Sequence, residues 1–437
     1  MLLDKLQITK TIEQLRPSID WAFRDAGRSE TTYITHGYHR YPAKFIPNIV
    51  QKLVEDYTSK GDLIVDPFGG CGTSLVEAKV SGRSSYGFDI NPVAKLITQT
   101  KITPIYPKTL KNSFLKFNKY YDSTEAVLPE IRNERLLYWF DEQTLRKLNQ
   151  IYTAIKQIKN FSVRRFYLCA FSHILKNCSR WLMKSIKPTV DKEKTPISPI
   201  EVFTRHIKQM TQRNNQFFEL LKKNRVFNTP TKVRIADSTK ELPLKSESVD
   251  LVITSPPYVT SYEYADLHQL SLLWFGNDNE FFKKWSRHIG DFDSFRKKFV
   301  GTSLRKKRRA EILNSTIGEC IVNKILPLDV SIAMSIRHYF SDMNKSFKEI
   351  FRILKPGGKA CIIIGDTVLR GVGIKNSAVA VEQMQNIGFK PINFIKRETG
   401  NKLITPWRDL EDGRFTGKDN PNRKRAYRYE FVLVMEK

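Results

Sequence analysis

This chain predicts a doubly wound α/β sheet interrupted by a large, mainly helical insertion. Three observations carry that expectation. Short apolar runs that end on an acid or a proline alternate with helical stretches towards both ends of the 437 residues, the pattern of parallel strands joined by crossover helices. Glycine punctuates both ends yet is absent between Gly87 and Gly276. Inside that gap Leu145, Leu148, Tyr152, Ile155 and Ile158 recur at three- and four-residue spacing, which marks one face of an amphipathic helix.

In chain order, "DLIVDPFGGCGTSLVEAKV" reads as a strand ending at Asp66, a glycine loop and a helix. "SSYGFDINPVAKLI" is a second strand ending near Asp89, followed by another helix. "VRIAD" closes a third strand at Asp237, and "VDLVITSPPY" is a fourth. "FKEIFRILKPGGKACIIIGD" reads as a helix, a Pro-Gly-Gly turn and a fifth strand. The tail segments "GFKPINFIKRE" and "RYEFVLVMEK" pair as antiparallel strands that close the sheet. Residues 1–100 therefore hold the first half of the α/β unit, 101–230 the helical insertion, and 231–437 the second half, with a smaller basic insertion at about 277–330. Connections in α/β units usually run ~2–6 residues, so a stretch as long as 101–230 implies an inserted domain.

Charge narrows the partners. Lys and Arg number 73 against 45 acids, a net charge of +28, which is the footprint of a polyanion and points to nucleic acid ahead of an anionic membrane surface. Arg305, Lys306, Lys307, Arg308 and Arg309 form one cluster, and Arg423, Lys424 and Arg425 another; both are candidate phosphate contacts. "NCSRWLMKSIKP" at 177–188 reads equally as a DNA-touching surface or an ordinary helix end. No long uncharged apolar segment spans a bilayer, and the opening "MLLDKLQITK" lacks a signal-peptide pattern, so the expected compartment is the cytoplasm. The five cysteines form no C-x-x-C pair, which argues against zinc and redox motifs.

The loop "DPFGGCGT" at 66–73 lacks the Lys-Ser/Thr of a phosphate-cradling loop and the spacing of a dinucleotide fingerprint. Its glycines let backbone approach a small ligand closely, and the helix that follows offers free N–H groups to a carboxylate. Asp66 can meet an ammonium, Asp89 a ribose diol and Asp237 an adenine amine. Taken singly, each acid has an ordinary alternative as a cap or loop residue. Together they describe a ligand with ammonium, carboxylate, ribose and adenine but no phosphate, which is S-adenosylmethionine.

With "TSPPY" at 254–258, this loop resembles those of the amino-methyltransferases that modify exocyclic amines of DNA bases. "HRYPAKFIP" at 39–47 is similar to that family's upstream cofactor segment, and "LKPGG" at 354–358 to the wider class I, Rossmann-like methyltransferase fold. The resemblance covers about 31–100 and 231–437. It implies a cofactor site of Tyr41, Pro42, Ala43 and Lys44, of Asp66, Pro67, Phe68, Gly69, Gly70, Gly72 and Thr73, and of Asp89, Ile90, Asp237, Ser238 and Thr254. It also implies that 101–230 is the candidate target-recognition region and that a cognate restriction endonuclease is a candidate partner.

The tip Ser255-Pro256-Pro257-Tyr258 ends an apolar strand on two residues that cannot donate to a ladder. An exocyclic amine is a poor nucleophile because its lone pair is delocalised into the ring. The Ser255 hydroxyl and the Pro256 carbonyl are both acceptors for its hydrogens, and Pro257 helps hold them in place before the base arrives. Tyr258 can stack on a flipped base, worth ~1–3 kcal/mol in single-strand binding. This chemistry needs no metal and no covalent nucleophile. Adenine enzymes of the family usually carry Asp or Asn where Ser255 stands, so N4 of cytosine is the expected acceptor, with N6 of adenine, an RNA amine or a non-catalytic DNA-binding subunit as alternatives. No Pro-Cys dipeptide is present, which disfavours cytosine C5 chemistry. His268 reads as a packed or capping histidine rather than a base.

Overall fold

The computed structural model describes residues 3–42, 44–130, 134–195, 197–259, 263–276, 278, 292–305, 312–399, 407–410, 415–425 and 428–437. The strands in chain order are β1 (Pro17–Ser18), β2 (Leu63–Asp66), β3 (Ser84–Asp89), β4 (Thr231–Ile235), β5 (Val249–Thr254), β6 (Leu354–Ile364), β7 (Thr367–Leu369), β8 (Val372–Ile374), β9 (Lys390–Glu398), β10 (Trp407–Asp409), β11 (Phe415–Thr416), β12 (Arg423–Arg425) and β13 (Tyr429–Glu436). Eight of them form one sheet in the order β1-β9-β13-β6-β5-β2-β3-β4. From β6 to β4 every neighbour is parallel, while β13 runs antiparallel to both β6 and β9. The chain steps outward from β2 in one direction and from β5 in the other. Their boundary is thus the switch point where ligands of open α/β sheets bind.

Alternation along the central strands explains why both faces are covered. Val65, Val252, Ala360 and Ile362 pack with the helices Val330–Ile353 and Asn376–Ile387. Ile64, Leu251, Ile253, Cys361 and Ile363 face the other way, against Ile49, Val50, Leu53 and Val54 of the helix Pro47–Tyr57. Each fully buried aliphatic side chain contributes on the order of 1.5–3 kcal/mol, so the apolar runs of β5 and β6 commit to this two-sided burial.

Two details depart from the sequence pattern. Pro356, Gly357 and Gly358 lie inside β6 rather than in a turn before it. The β5–β6 register slips from Val249↔Leu354 to Leu251↔Lys359, and Gly357 takes φ +77° there, so the three residues are absorbed as a bulge. The strand containing "VRIAD" ends at Ile235, which leaves Asp237 in the loop beyond it. The pairing of the two tail strands is as expected, with Leu433 opposite Phe394.

The stretch 101–230 is helical over Pro107–Asp122, Arg135–Trp139, Glu142–Lys156, Phe161–Cys178 and Pro199–Lys223. Asp141 and Asn160 cap two of these helices by accepting from Thr144 N and Val163 N. Leu145, Leu148, Tyr152, Ile155 and Ile158 are all buried, in a cluster that also takes in Val93 and Ile97 of the helix Pro92–Lys101. The apolar core of the insertion is therefore continuous with the cofactor half of the sheet. Residues 292–299 join the same cluster through Phe292, Phe295 and Phe299.

Candidate active site

One cavity lies at the switch point, walled by the loops after β2, β3, β4 and β5. Thr254, the last residue of β5, donates its hydroxyl to Asp66 Oδ1 at 2.7 Å. Ser74 donates to Asp66 Oδ2 at 2.6 Å and Phe68 N to Oδ1 at 3.1 Å. Burial pushes the Asp66 carboxyl up to about 6, against the pull of these hydrogen bonds. Asp66, expected to meet an ammonium, is buried beneath the loop and anchors it. Gly72, Thr254 and Pro42 also fall outside the cavity wall, and Ala43 lies outside the described residues.

The glycines shape the wall itself. Gly70 has φ +48°, and a Cβ there would stand 3.3 Å from the Tyr41 hydroxyl. Gly72 has φ +78°, and its Cβ would meet Thr98 Cγ2 at 2.6 Å. Gly70 N donates to Asp89 Oδ2 at 2.9 Å, and Asn91 N donates to Oδ1 at 2.7 Å. Burial likewise raises the Asp89 carboxyl to about 6. The helix Thr73–Val80 begins at Gly72 with no side-chain cap, so its first N–H groups are open to an anion.

Tyr41, Lys44, Pro67, Phe68, Gly69, Gly70 and Thr73 line the cavity, as do Asp89, Ile90, Asp237 and Ser238. Asp237 also accepts from Thr239 and pairs with Lys240 at 3.5 Å. Carboxylates, a tight glycine loop and an uncapped helix start suit the ribose, adenine and carboxylate of S-adenosylmethionine.

Ser255, Pro256, Pro257 and Tyr258 stand on the wall of the same cavity. The Tyr258 hydroxyl donates to Glu430 Oε1 at 3.1 Å, and its backbone N–H donates to the Tyr264 hydroxyl at 3.2 Å. Behind the tip, Gly301 has φ +81°, and a Cβ would come within 2.9 Å of the Tyr258 carbonyl oxygen. Phe45, Cys71, Asn91, Ala236, Tyr264, Lys298, Phe299, Val300 and Glu430 complete the wall. Phe45 and Cys71 lie inside the cofactor segments 39–47 and 66–73, and Tyr264 follows the proline tip; the others were not legible as site residues in sequence. The loop positions Asn91 and Ala236 adjoin residues singled out above, so proximity was their only signal. Glu430 carried none, being one acid in an apolar strand.

His268 is buried, its ring 5.0 Å from that of Tyr41 and its Nδ1 3.3 Å from Asn91 Nδ2. Burial lowers it to about 4, so it is a neutral packing group at ordinary pH. Among the described residues no cluster of His, Cys, Asp and Glu can hold a metal ion, and no described helix is long and apolar enough to cross a membrane.

The basic clusters fare differently. The Arg305 guanidinium pairs with Asp342, which is 4% exposed, and donates to the carbonyls of Lys297 and Phe299. Arg305, expected among phosphate contacts, is thus held in an ion pair with its side chain 13% exposed. Lys306, Lys307, Arg308 and Arg309 lie outside the described residues. Arg423 sits 5.1 Å over the Trp407 ring, and Lys424 and Arg425 pair in register with Arg408 and Trp407. This small sheet rises between the end of β9 and the start of β13. Phe431 pairs with Ile364, so the excursion emerges at the strand ends that carry the cavity.

A parallel sheet closed by an antiparallel β13, with the glycine loop and acids at its switch point, defines an S-adenosylmethionine-dependent methyltransferase. The chain belongs to the DNA methylase family, whose model matches residues 6–100 and 249–437. Over 424 residues it is 26% identical to the type II methyltransferase M.MvaI of Kocuria varians, covering 91% of this chain and 88% of that protein. It is 25% identical to the type II methyltransferase M.BsoBI of Geobacillus stearothermophilus, covering 84% and 81%. A third relative, M.MjaII of Methanocaldococcus jannaschii, is 23% identical with 78% of each chain covered.

Proposed function

We propose that this protein methylates the exocyclic N4 amine of cytosine within a specific DNA sequence, as the modification half of a restriction-modification system. The observation that carries the proposal is the placement of Ser255-Pro256-Pro257-Tyr258 on one wall of the cavity that Gly69, Gly70 and Asp89 also line. Bound S-adenosylmethionine supplies an electrophilic methyl group there. The chain's own residues prepare the acceptor. Ser255 Oγ and the Pro256 carbonyl accept the two amino hydrogens, which localises the nitrogen lone pair, and the Tyr258 ring stacks on the base. Flipping a nucleotide costs a few kcal/mol, which stacking on Tyr258 partly offsets. Asp89 and Asp237 hold ribose and adenine, and the start of the helix Thr73–Val80 holds the carboxylate. The helical stretch 101–230 and the excursion bearing Arg423 flank this cavity as the DNA-reading surfaces. The names of the relatives, type II methyltransferases, support the restriction-modification setting.

Incubation with methyl-labelled S-adenosylmethionine and unmethylated DNA, followed by digestion to nucleosides, tests the reading. Mass spectrometry should find the label in N4-methylcytosine. Label in N6-methyladenine overturns the choice of base, and label confined to RNA overturns the substrate. Bound cofactor with no product favours a non-catalytic subunit.

A further inference from the structure

We propose that Glu430 is a positioning residue for methyl transfer: it fixes the ring of Tyr258 through the tyrosine hydroxyl and is itself held by Arg397. The inference rests on the function proposed above, because it concerns the residue assigned to stack on the acceptor base.

Glu430 is 5% exposed and lines the cavity. One carboxylate oxygen accepts from Tyr258 Oη at 3.1 Å and the other from Arg397 Nη1 at 2.6 Å. Arg397 is 4% exposed, and its Nε donates to the Trp21 carbonyl at 2.8 Å. The two charged residues stand directly opposite each other on β13 and β9. The sheet therefore fixes the carboxylate through backbone register, not through a mobile loop. A buried ion pair gains little stability over well-packed apolar residues, so one retained at the cavity wall calls for a further use. Placement of Tyr258 is that use. The phenol oxygen lies on the χ2 axis, so the tether fixes χ1, and with it where the ring stands in the cavity. The antiparallel strand β13 thus supplies the site with a side chain as well as closing the sheet.

Tyr258→Phe removes the tether while leaving the Glu430–Arg397 pair intact. Glu430→Gln weakens it from the other end. Single-turnover methylation of unmethylated plasmid DNA is measured for wild type, both variants and the double variant, with cofactor affinity and melting temperature alongside. Tyr258→Phe should lower the single-turnover rate roughly tenfold or more, the range for losing a hydrogen bond to a charged group, with cofactor affinity unchanged. The double variant should be no slower than the slower single variant, since both remove one interaction. Should Glu430→Gln lower the melting temperature, Tyr258→Phe still reads the tether alone. Wild-type speed in Tyr258→Phe, or additive losses in the double variant, overturns the inference but leaves the proposed function standing. A wild-type protein that labels no DNA overturns both.

Discussion

Thr254 at the end of β5 donates its hydroxyl to Asp66 at the end of β2, 2.7 Å away. The two residues precede the proline tip and the glycine loop, so this bond ties those two loops together. The register between the strands, with Val65 opposite Val252, sets their ends side by side. Removing the hydroxyl leaves a buried carboxyl short of a donor. Thr254→Val should cost about 1–3 kcal/mol of stability, measured by urea unfolding, and should also weaken cofactor binding. Thr254→Ser should restore most of both.

Gly72 and Gly357 provide a matched pair. Both have positive φ, but a Cβ at Gly357 meets nothing within 4 Å, while one at Gly72 collides with Thr98. Gly357→Ala should cost about 1–3 kcal/mol as backbone strain alone and leave cofactor affinity unchanged in titration calorimetry. Gly72→Ala should cost more and weaken the cofactor, because the loop must shift.

Asp89 does two jobs in this site, holding Gly70 and Asn91 by their N–H groups and facing the cavity. Asp89→Ala should weaken S-adenosylmethionine binding by at least the ~1.5–3 kcal/mol of a charge-assisted hydrogen bond. Unaltered affinity by calorimetry would remove Asp89 from the cofactor site.

Much of this was legible in the sequence, for a physical reason. The cofactor loop, the two strand-end acids and the proline tip are local: glycine, proline and an acid in a short window dictate backbone form without help from distant residues. The anchoring role of Asp66 was not legible, because it depends on its long-range partner Thr254. Glu430 reaches the site through tertiary pairing, and nothing near it in sequence announces it, whereas Tyr264 follows the proline tip by six residues. Pro356-Gly357-Gly358 looked like a turn because local propensity cannot foresee that two neighbouring strands absorb it as a bulge. The helical spacing from Leu145 to Ile155 holds because the apolar face that sets it is the face that is buried, whereas Ile158 is buried from just beyond the helix end.

Acid should destabilise the fold through its histidines. Burial lowers His36, His206 and His268 to about 4 from the usual 6.5, and holds His39 and His173 well below that value. Between pH 6.5 and about 4 the unfolded chain binds protons that these rings refuse in the fold, so stability falls as pH drops through that window. Asp66 and Asp89, raised to about 6, act in the opposite sense, because the folded state holds their protons longer, as do Asp266 and Asp366, which burial also raises. The five histidines outnumber these four carboxyls. The urea midpoint should therefore be lower at pH 5 than at pH 7.5, and an equal or higher midpoint at pH 5 would contradict the assignment.

Salt dependence separates the members of one basic cluster. Replacing Lys306, Lys307, Arg308 and Arg309 by Gln should flatten the slope of log DNA affinity against log salt by about 0.9 for each phosphate no longer neutralised. Arg305→Gln should leave that slope alone and lower stability instead, since its charge is paired with Asp342. A change of slope with Arg305→Gln would return it to the DNA surface.

The proposed function turns on the tip beginning at Ser255, which would present the N4 amine of cytosine to the cofactor pocket. Ser255→Ala removes one acceptor and should spare cofactor and DNA affinity while reducing turnover, since that acceptor matters most as the nitrogen pyramidalises. Methylation-aware sequencing of DNA from cells expressing wild-type or Ser255→Ala protein reports base, position and context together. The expected result is N4-methylcytosine at one recurring sequence with the wild type and its loss with Ser255→Ala. N6-methyladenine at the modified sites, or N4-methylcytosine undiminished in Ser255→Ala, would contradict it.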